Sequence, residues 1–294
     1  MSKAGFVSLI GRPNAGKSTL MNSLLGEKIA MVSQKANATR KRSNAIVMHD
    51  DTQIIFIDTP GLHEKEKVLN QFMLDEALKA MGDCDLIVYL APVTDSVAHY
   101  QKFLELNKKN IKHIIVLSKI DQVKQDKLFK SIASYNQFSE YFEALIPVAI
   151  PKKVGHEDLL NTIAKNLPDS PFLFDPQDLT SELVRDIYAG FIREGIFENV
   201  SDEVPYESDV IIDSIEEESG IDRIYATIII EKESQKGILI GKGGESIKRI
   251  GKSAREKIQR LSSKQTYLDL QVTVKKGWTK DVNFLKEIGY DNAK

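Results

Sequence analysis

"GRPNAGKST", residues 11–19, follows the apolar run "GFVSLI" (5–10) and opens the helix-like stretch "KSTLMNSLLG" (17–26). Its spacing is G-x-x-x-x-G-K-[ST], set between an expected strand and an expected helix. That setting is what phosphate binding requires. The loop Gly11, Arg12, Pro13, Asn14, Ala15, Gly16, Lys17, Ser18 and Thr19 is expected to wrap phosphates, with its backbone N–H groups aimed at them. The helix N-terminus adds the positive end of its dipole. Lys17 is placed to reach the β- and γ-phosphates, and Ser18 to ligate Mg²⁺.

Outward from the loop, short apolar runs alternate with amphipathic stretches. "IIFID" (54–58), "LIVYLA" (86–91), "HIIVLS" (113–118) and "ALIPVA" (144–149) read as buried strands. Helical patterns lie between them, such as "LNQFMLDEALKAM" from Leu69. The alternation predicts a doubly wound, mostly parallel α/β sheet. "NAIVMHDDTQIIFID" predicts a hairpin turning at Asp50 and Asp51, which adds one antiparallel edge strand.

Two further segments belong to the same site. "DTPGL" (58–62) ends an apolar strand. Asp58 is expected to hold Mg²⁺ through water and the Gly61 N–H to sense a γ-phosphate, with Thr59, Pro60 and Leu62 in the same nucleotide-contacting loop. "SKID" (118–121) ends the strand "HIIVL". Asp121 there can accept hydrogen bonds from N1–H and the 2-amino group of guanine, a donor pair that adenine lacks.

At this point the sequence resembles the translation-factor class of GTPases, whose usual motif is Asn-Lys-x-Asp. Here Ser118 replaces the Asn, and Ala149-Ile150 stands where that class has Ser-Ala. Lys119 and Asp121 keep the expectation on guanine, with a backbone N–H of the Ala149-Ile150 pair meeting its O6. The polar, basic segment "SQKANATRKR" (33–42) resembles the first switch of this class. The resemblance makes Thr39 the second protein ligand of Mg²⁺ when GTP is bound. Leu62 occupies the position where Ras-like proteins carry a water-orienting Gln, and it can neither orient water nor accept a proton. His63 is one residue further on. GTPases with a similar "PNxGKS" loop use the Asn to hold K⁺, which makes Asn14 a catalytic candidate beside Lys17, Thr39 and Gly61.

The composition bounds the rest. A chain of 294 residues suggests two domains. The single cysteine, Cys84, excludes a disulfide framework and suits a reducing cytoplasm. "MSKAGFVSLIGRP" has no long apolar core of the kind a signal peptide needs, and no segment approaches ~20 consecutive apolar residues. The net charge is −2, but it is unevenly spread. Residues 198–222 carry ten Asp/Glu and no Lys/Arg, whereas residues 232–280 carry thirteen Lys/Arg against four Asp/Glu. Such a basic section is either a solvated face or an electrostatic footprint for nucleic acid.

"NLPDSPFLFDPQD" (166–178) is rich in proline and reads as a linker. The expected division is therefore a nucleotide domain at 1–168, a linker at 169–179 and a second domain at 180–294. A helix is expected from near Thr180, with Leu183, Ile187, Phe191 and Ile192 on its apolar face. Strands are expected at "YESDVIIDSIEE", "RIYATIIIEK" and "YLDLQVTVKK", and a short tail helix near Asp281 to Ile288. The order reads α-β-β-α-β.

Within it, "IGKGGES" lies between an expected strand and a basic helix. It lacks the G-x-x-x-x-G-K-[ST] spacing, so it is not a second nucleotide loop. It matches the G-x-x-G loop of KH modules, which clamp single-stranded nucleic acid. Ile240, Gly241, Lys242, Gly243 and Gly244 form the expected clamp. Lys248, Arg249 and Lys252 follow on the helix, and Lys275 and Lys276 after the last strand. Ile238 and Ile240 are candidates to pack beneath bases.

Taken together, "GRPNAGKST", "IDTPGLH", "DEVPY" (202–206), "LIGKGG", "YLDLQVTVKK" followed by Trp278, and "IGYD" (288–291) resemble the Era family of bacterial ribosome-assembly GTPases. The resemblance implies a P-loop GTPase domain followed by a smaller α+β type II KH domain. It implies GTP hydrolysis with GTP/GDP and Mg²⁺, beside the K⁺ that the Asn14 loop suggests. It also implies binding of 16S rRNA near its 3′ end in small-subunit maturation and some peripheral association with the inner membrane; a monomer is expected. Two other readings stay open: a metabolic P-loop enzyme such as a small-molecule kinase, and an RNA adaptor with little hydrolysis.

Overall fold

The structure is a computed structural model that describes residues 2–33, 35, 38–62, 68–201 and 203–290. Its first half contains β1 (Lys3–Ile10), α1 (Lys17–Leu25), β2 (Ser43–His49), β3 (Thr52–Asp58), α2 (Val68–Gly82), β4 (Leu86–Pro92), α3 (Ala98–Leu106), β5 (His113–Ser118), α4 (Gln125–Asn136), β6 (Ala144–Pro147) and α5 (His156–Asn166). Six strands pair in the order β2-β3-β1-β4-β5-β6. All pairs are parallel except β2 with β3, the hairpin that turns at Asp50 and Asp51.

The strands are continuous apolar runs because both faces are covered. One core packs Leu20 and Met21 of α1 and Leu159 and Ile163 of α5 beneath Val7, Leu9, Phe56 and Val88. The other packs Met81, Tyr100, Phe103 and Tyr135 of α2, α3 and α4 against Ile10, Ile87, Ile115 and Leu117. The chain leaves β1 toward one face and β3 toward the other, so the carboxyl ends of β1, β3, β5 and β6 open on one crevice.

The proline-rich stretch is tied to the sheet edge. Gln53 donates to the Phe174 carbonyl and accepts from the Leu173 and Phe174 N–H groups. Ile46 N–H donates to the Leu179 carbonyl, and Thr180 Oγ1 to that of Asn44. These bonds tie Thr180 to β2, and the next helix, α6 (Val184–Asn199), begins four residues later than the sequence pattern suggests. Leu183 is 64% exposed and lies outside its apolar face, which is formed by Ile187, Phe191, Ile192 and Ile196.

The second half continues with β7 (Ser208–Glu218), β8 (Ile221–Ile230), α7 (Glu233–Ile240), α8 (Glu245–Ser262), β9 (Gln265–Val274) and α9 (Val282–Glu287). β7 pairs antiparallel and β9 parallel with β8. The order is thus α-β-β-α-α-β, with one helix more than the sequence reading. α7 escapes that reading because it is short, holds Gly237, and ends in "ILI", which continues the apolar run of a strand. A side chain starts it as a helix: Gln235 Oε1 accepts from the Glu231 and Lys232 N–H groups, and Nε2 donates to Glu207.

α8 buries Ile250, Ala254 and Ile258 at four-residue intervals, and Ile250 meets α6 at Gly195. A Cβ on Gly195 would stand 3.0 Å from the Ile250 carbonyl oxygen, so the two helices pack nearly backbone to backbone. Ile250→Ala should therefore destabilise the second domain by about 2–5 kcal/mol, read as a lower urea midpoint with the first domain's transition unchanged.

Candidate functional site

The turn between β1 and α1 is the floor of the crevice. Asn14 (φ 62°) and Gly16 (φ 105°) are both left-handed, which folds the loop back over the start of α1. A Cβ on Gly61 would lie 2.5 Å from the Pro13 nitrogen, so the loop after β3 rests directly on this turn. The Leu62 N–H donates to the Gly11 carbonyl at 3.1 Å.

Lys17 is only 6% exposed, and its Nζ donates to the carbonyls of Gly11 (3.1 Å) and Arg12 (3.2 Å). Burial pushes its pKa down to about 8, against the pull of Asp58. Asp58 is fully buried, and burial raises its carboxyl despite Lys17, Ser18 and Thr39 nearby. Its Oδ2 accepts from Ser18 Oγ at 2.5 Å and from Thr39 Oγ1 at 3.4 Å, and the two hydroxyls are 3.0 Å apart. Its Oδ1 is buried without a hydrogen-bond partner. Two hydroxyls and an under-satisfied carboxylate are hard oxygen donors, the set that suits Mg²⁺. Among the described residues no cluster of three or more His, Cys, Asp or Glu offers a different metal site.

A cavity of about 540 Å³ joins this corner to the base side. Asn14, Gly16, Lys17, Ser18, Thr19, Thr39, Gly61, Lys119, Asp121 and Ile150 line it, as the sequence reading brought them together. Asp121 stands exposed in a 3-10 turn (Ile120–Gln122). Lys119, left-handed at φ 60°, donates from Nζ to the Asn14 carbonyl at 2.8 Å. Ser118 is buried and donates to the Ala15 carbonyl at 2.9 Å, so this serine ties the base loop to the phosphate loop. Gln122, Pro151, Met31 and Val32 also line the cavity and carry no motif that would single them out, and so does Ser33 at the start of the switch-like segment.

Several sequence candidates are spent elsewhere. The Thr59 hydroxyl is buried and donates to the Leu9 carbonyl at 2.7 Å, so it braces β1 and does not face the cavity. The Arg12 guanidinium forms a two-pronged pair with Asp95 (2.5 and 2.6 Å) and serves the loop only through its carbonyl. The Leu62 side chain packs on the apolar core under α2–α4. The Ala149 N–H donates to Val154, which leaves Ile150 as the member of that pair on the cavity. His63 lies outside the described residues.

The glycine loop of the second half sits between α7 and α8. Gly241, Gly243 and Gly244 all have positive φ (73°, 61° and 78°). A Cβ on Gly241 would strike Ser246, whereas one on Gly243 would meet nothing within 4 Å, so the loop presents open backbone at its tip. Lys242, Lys248, Arg249 and Lys252 are exposed beside it, with Ile238 52% exposed and Ile240 half-buried. Lys276 is exposed, but Lys275 Nζ stands 3.5 Å over the Phe284 ring and is partly committed to the tail helix.

With this geometry established, comparison places the chain. Residues 6–119 match the family described as 50S ribosome-binding GTPase, and residues 192–279 match the KH domain family. The chain is 50% identical over 289 residues to GTPase Era of Campylobacter lari, covering 98% of this chain and 99% of that one. It is 50% identical over 298 residues to GTPase Era of Helicobacter pylori strain HPAG1, covering 100% and 98%. A variant of Aquifex aeolicus Era bound to GDP and AlF4⁻ superposes with a TM-score of 0.94 at 30% identity, covering 99% of this chain and 100% of that chain. Era in complex with MgGDPNP and nucleotides 1506–1542 of 16S ribosomal RNA superposes equally well, at 30% identity and the same coverage. At 50% identity over 98% or more of its length to the Campylobacter lari and Helicobacter pylori relatives, the chain belongs to the Era GTPase family.

Proposed function

We propose that this protein binds GTP in the crevice, hydrolyses it to GDP and phosphate, and binds single-stranded 16S rRNA near its 3′ end through the second domain, in assembly of the small ribosomal subunit. The carrying observation is the convergence of Ser18, Thr39 and Asp58 beside buried Lys17. The domains are assigned as 1–168 and 180–294, joined by 169–179.

Lys17 places positive charge on the β- and γ-phosphates, and the N–H groups of the loop and of Gly61 hold their oxygens. Ser18 and Thr39 ligate Mg²⁺, with Asp58 holding it through water. The metal, when bound, neutralises charge developing on the transferred phosphoryl group. Asp121 selects guanine, and Ser118 and Lys119 keep its turn fixed against the phosphate loop. Leu62 supplies no group to water, so the catalytic charge is assigned to K⁺ held by Asn14, which stands exposed on the cavity. RNA backbone lies along Gly241–Gly244, with Lys242, Lys248, Arg249, Lys252 and Lys276 around it. Any inner-membrane association is peripheral in this reading, since no helix among the described residues is long and apolar enough to cross a membrane. An adaptor with little hydrolysis shares every binding feature but is not favoured, since the relatives at 50% identity are GTPases.

Phosphate release from GTP, with ATP as control, should be selective for GTP and faster in K⁺ than in Na⁺ at equal ionic strength. Asn14→Ala should erase the salt difference and Lys17→Ala should abolish turnover in both. Equal native rates in the two salts would remove the K⁺ assignment.

The Lys17 ammonium gives a second test. With no phosphate beside it its pKa is about 8, and a bound phosphate raises that value. Affinity is therefore complete below pH 8 and is lost as pH rises through it. GDP binding should weaken about tenfold between pH 7 and 9, with proton uptake visible by calorimetry at pH 8.5. A flat profile would mean that Lys17 stays charged without nucleotide.

On the RNA side, Gly243→Asp puts a negative side chain where the ribose-phosphate chain must approach, and Lys242→Ala removes one phosphate contact. Fluorescence titration of a labelled single strand should show a severe loss for the first. For the second, the slope of log K against log salt should fall by about 0.7. A Gly243→Asp protein that is folded by circular dichroism yet binds like native would refute the clamp.

A further inference from the structure

The segment that carries Thr39 is gripped by the second domain on both sides of that residue. Ala38 is buried in a small cluster with Met31 and with Phe197 and Tyr206 of the second domain. Arg40 is 1% exposed, although it is an arginine on a segment between elements. Its Nη1 donates to the Ser208 carbonyl at 2.8 Å, and its Nη2 to those of Pro205 and Tyr206, each at 2.9 Å. The same guanidinium stands 3.5 Å from Asp209 Oδ2.

Asp209 is itself a built receptor. It is buried at the start of β7, Arg193 of α6 pairs with its Oδ1 at 3.2 Å, and the Tyr290 hydroxyl of the tail donates to its Oδ2. These cations hold its carboxyl down at about 2, so it stays charged. A buried carboxylate with two arginines and a tyrosine is expensive to assemble unless its parts meet in one geometry. Neighbouring residues fasten the same strip: Lys41 donates to the Ile288 carbonyl and lies 5.0 Å over the Tyr290 ring, and Lys35 donates to the Val200 carbonyl.

We propose that Arg40 is a positioning residue for GTP hydrolysis: anchored in the carbonyl cradle and on Asp209 of the second domain, it holds Thr39 against Ser18 and Asp58. This rests on the GTPase reading above. Consecutive Cα atoms are fixed at about 3.8 Å. With Ala38 and Arg40 both held by the second domain, Thr39 between them is kept where its hydroxyl meets Ser18 and Asp58. Fixing both neighbours leaves its hydroxyl little freedom, so Thr39 need not be ordered by the metal and the γ-phosphate alone. The second domain is then part of the hydrolytic apparatus, acting through Arg40 and never touching nucleotide.

The test is a double-mutant cycle between Arg40→Ala and Thr39→Ala, read in single-turnover and steady-state GTP hydrolysis with Mg²⁺ titrated. A displaced ligand costs turnover more than binding. Arg40→Ala should lower kcat about tenfold or more, raise the Mg²⁺ needed for half-maximal rate, and leave GDP affinity within about twofold, because GDP has no γ-phosphate for Thr39 to help hold. Thr39→Ala should cost at least as much, and the double variant no more than Thr39→Ala alone, since Arg40 acts only through Thr39. Arg40→Lys, which keeps the charge and loses the fork, should recover part of kcat. Should Arg40→Ala fail to fold, Asp209→Asn serves in its place with a smaller loss of the same kind. A kcat within twofold of native in a folded variant, or losses that add across the cycle, would overturn the inference. Native protein that fails to hydrolyse GTP would instead overturn the reading on which it rests.

Discussion

The carbonyls of the β1–α1 turn are the hub on which the nucleotide half depends. Gly11 accepts from Lys17 Nζ and from the Leu62 N–H, Arg12 from Lys17, Asn14 from Lys119 and Ala15 from Ser118. Loops from the ends of β3 and β5 are thus fastened to one turn by hydrogen bonds in a largely buried setting, where unmade bonds are costly. The same bonds satisfy the turn's carbonyls and fix its shape.

The second half rests on a different device. Its sheet and helices form a conventional apolar core, and its attachment to the first half combines apolar packing, of Leu69, Phe72 and Met73 on Ile229, Trp278, Phe284, Leu285 and Tyr290, with buried polar contacts. Glu194 of α6 accepts from Lys28 and from the Val32 N–H, while Asp209 gathers Arg40 and Arg193. The polar contacts are directional and lose much of their value when one partner shifts. They join two folding units while restricting them to few relative arrangements. Both acceptors lie beside the strip that carries Thr39, so the interface and the phosphate corner share residues.

Most of the fold was legible from local pattern. The strands of the first sheet announce themselves as apolar runs because both of their faces are covered, and α8 shows its four-residue rhythm because only one face is. α7 was illegible for the converse reason. It is too short to show a period, and its identity depends on Gln235 bonding two N–H groups before it and Glu207 far back in the chain. The delayed start of α6 likewise accompanies a distant bond, from Thr180 to the edge strand β2.

For the site, the sequence by itself determined the candidates: the phosphate loop with Ser18, Asp121 for the base and the G-x-x-G loop are proposed from local residue types and spacing, and Thr39 from the resemblance to a first switch. The tertiary structure alone decided which side chains stay available for that chemistry. Thr59 and Arg12 sit within motifs yet spend their polar groups on Leu9 and Asp95. Arg40 sits in the polar, basic segment that resembles a first switch, yet it is buried against the second domain. A hydrogen bond or an ion pair needs two partners at a set distance and angle. Where the partner is more than 160 residues away, as Ser208 and Asp209 are from Arg40, only the folded chain can bring the two together.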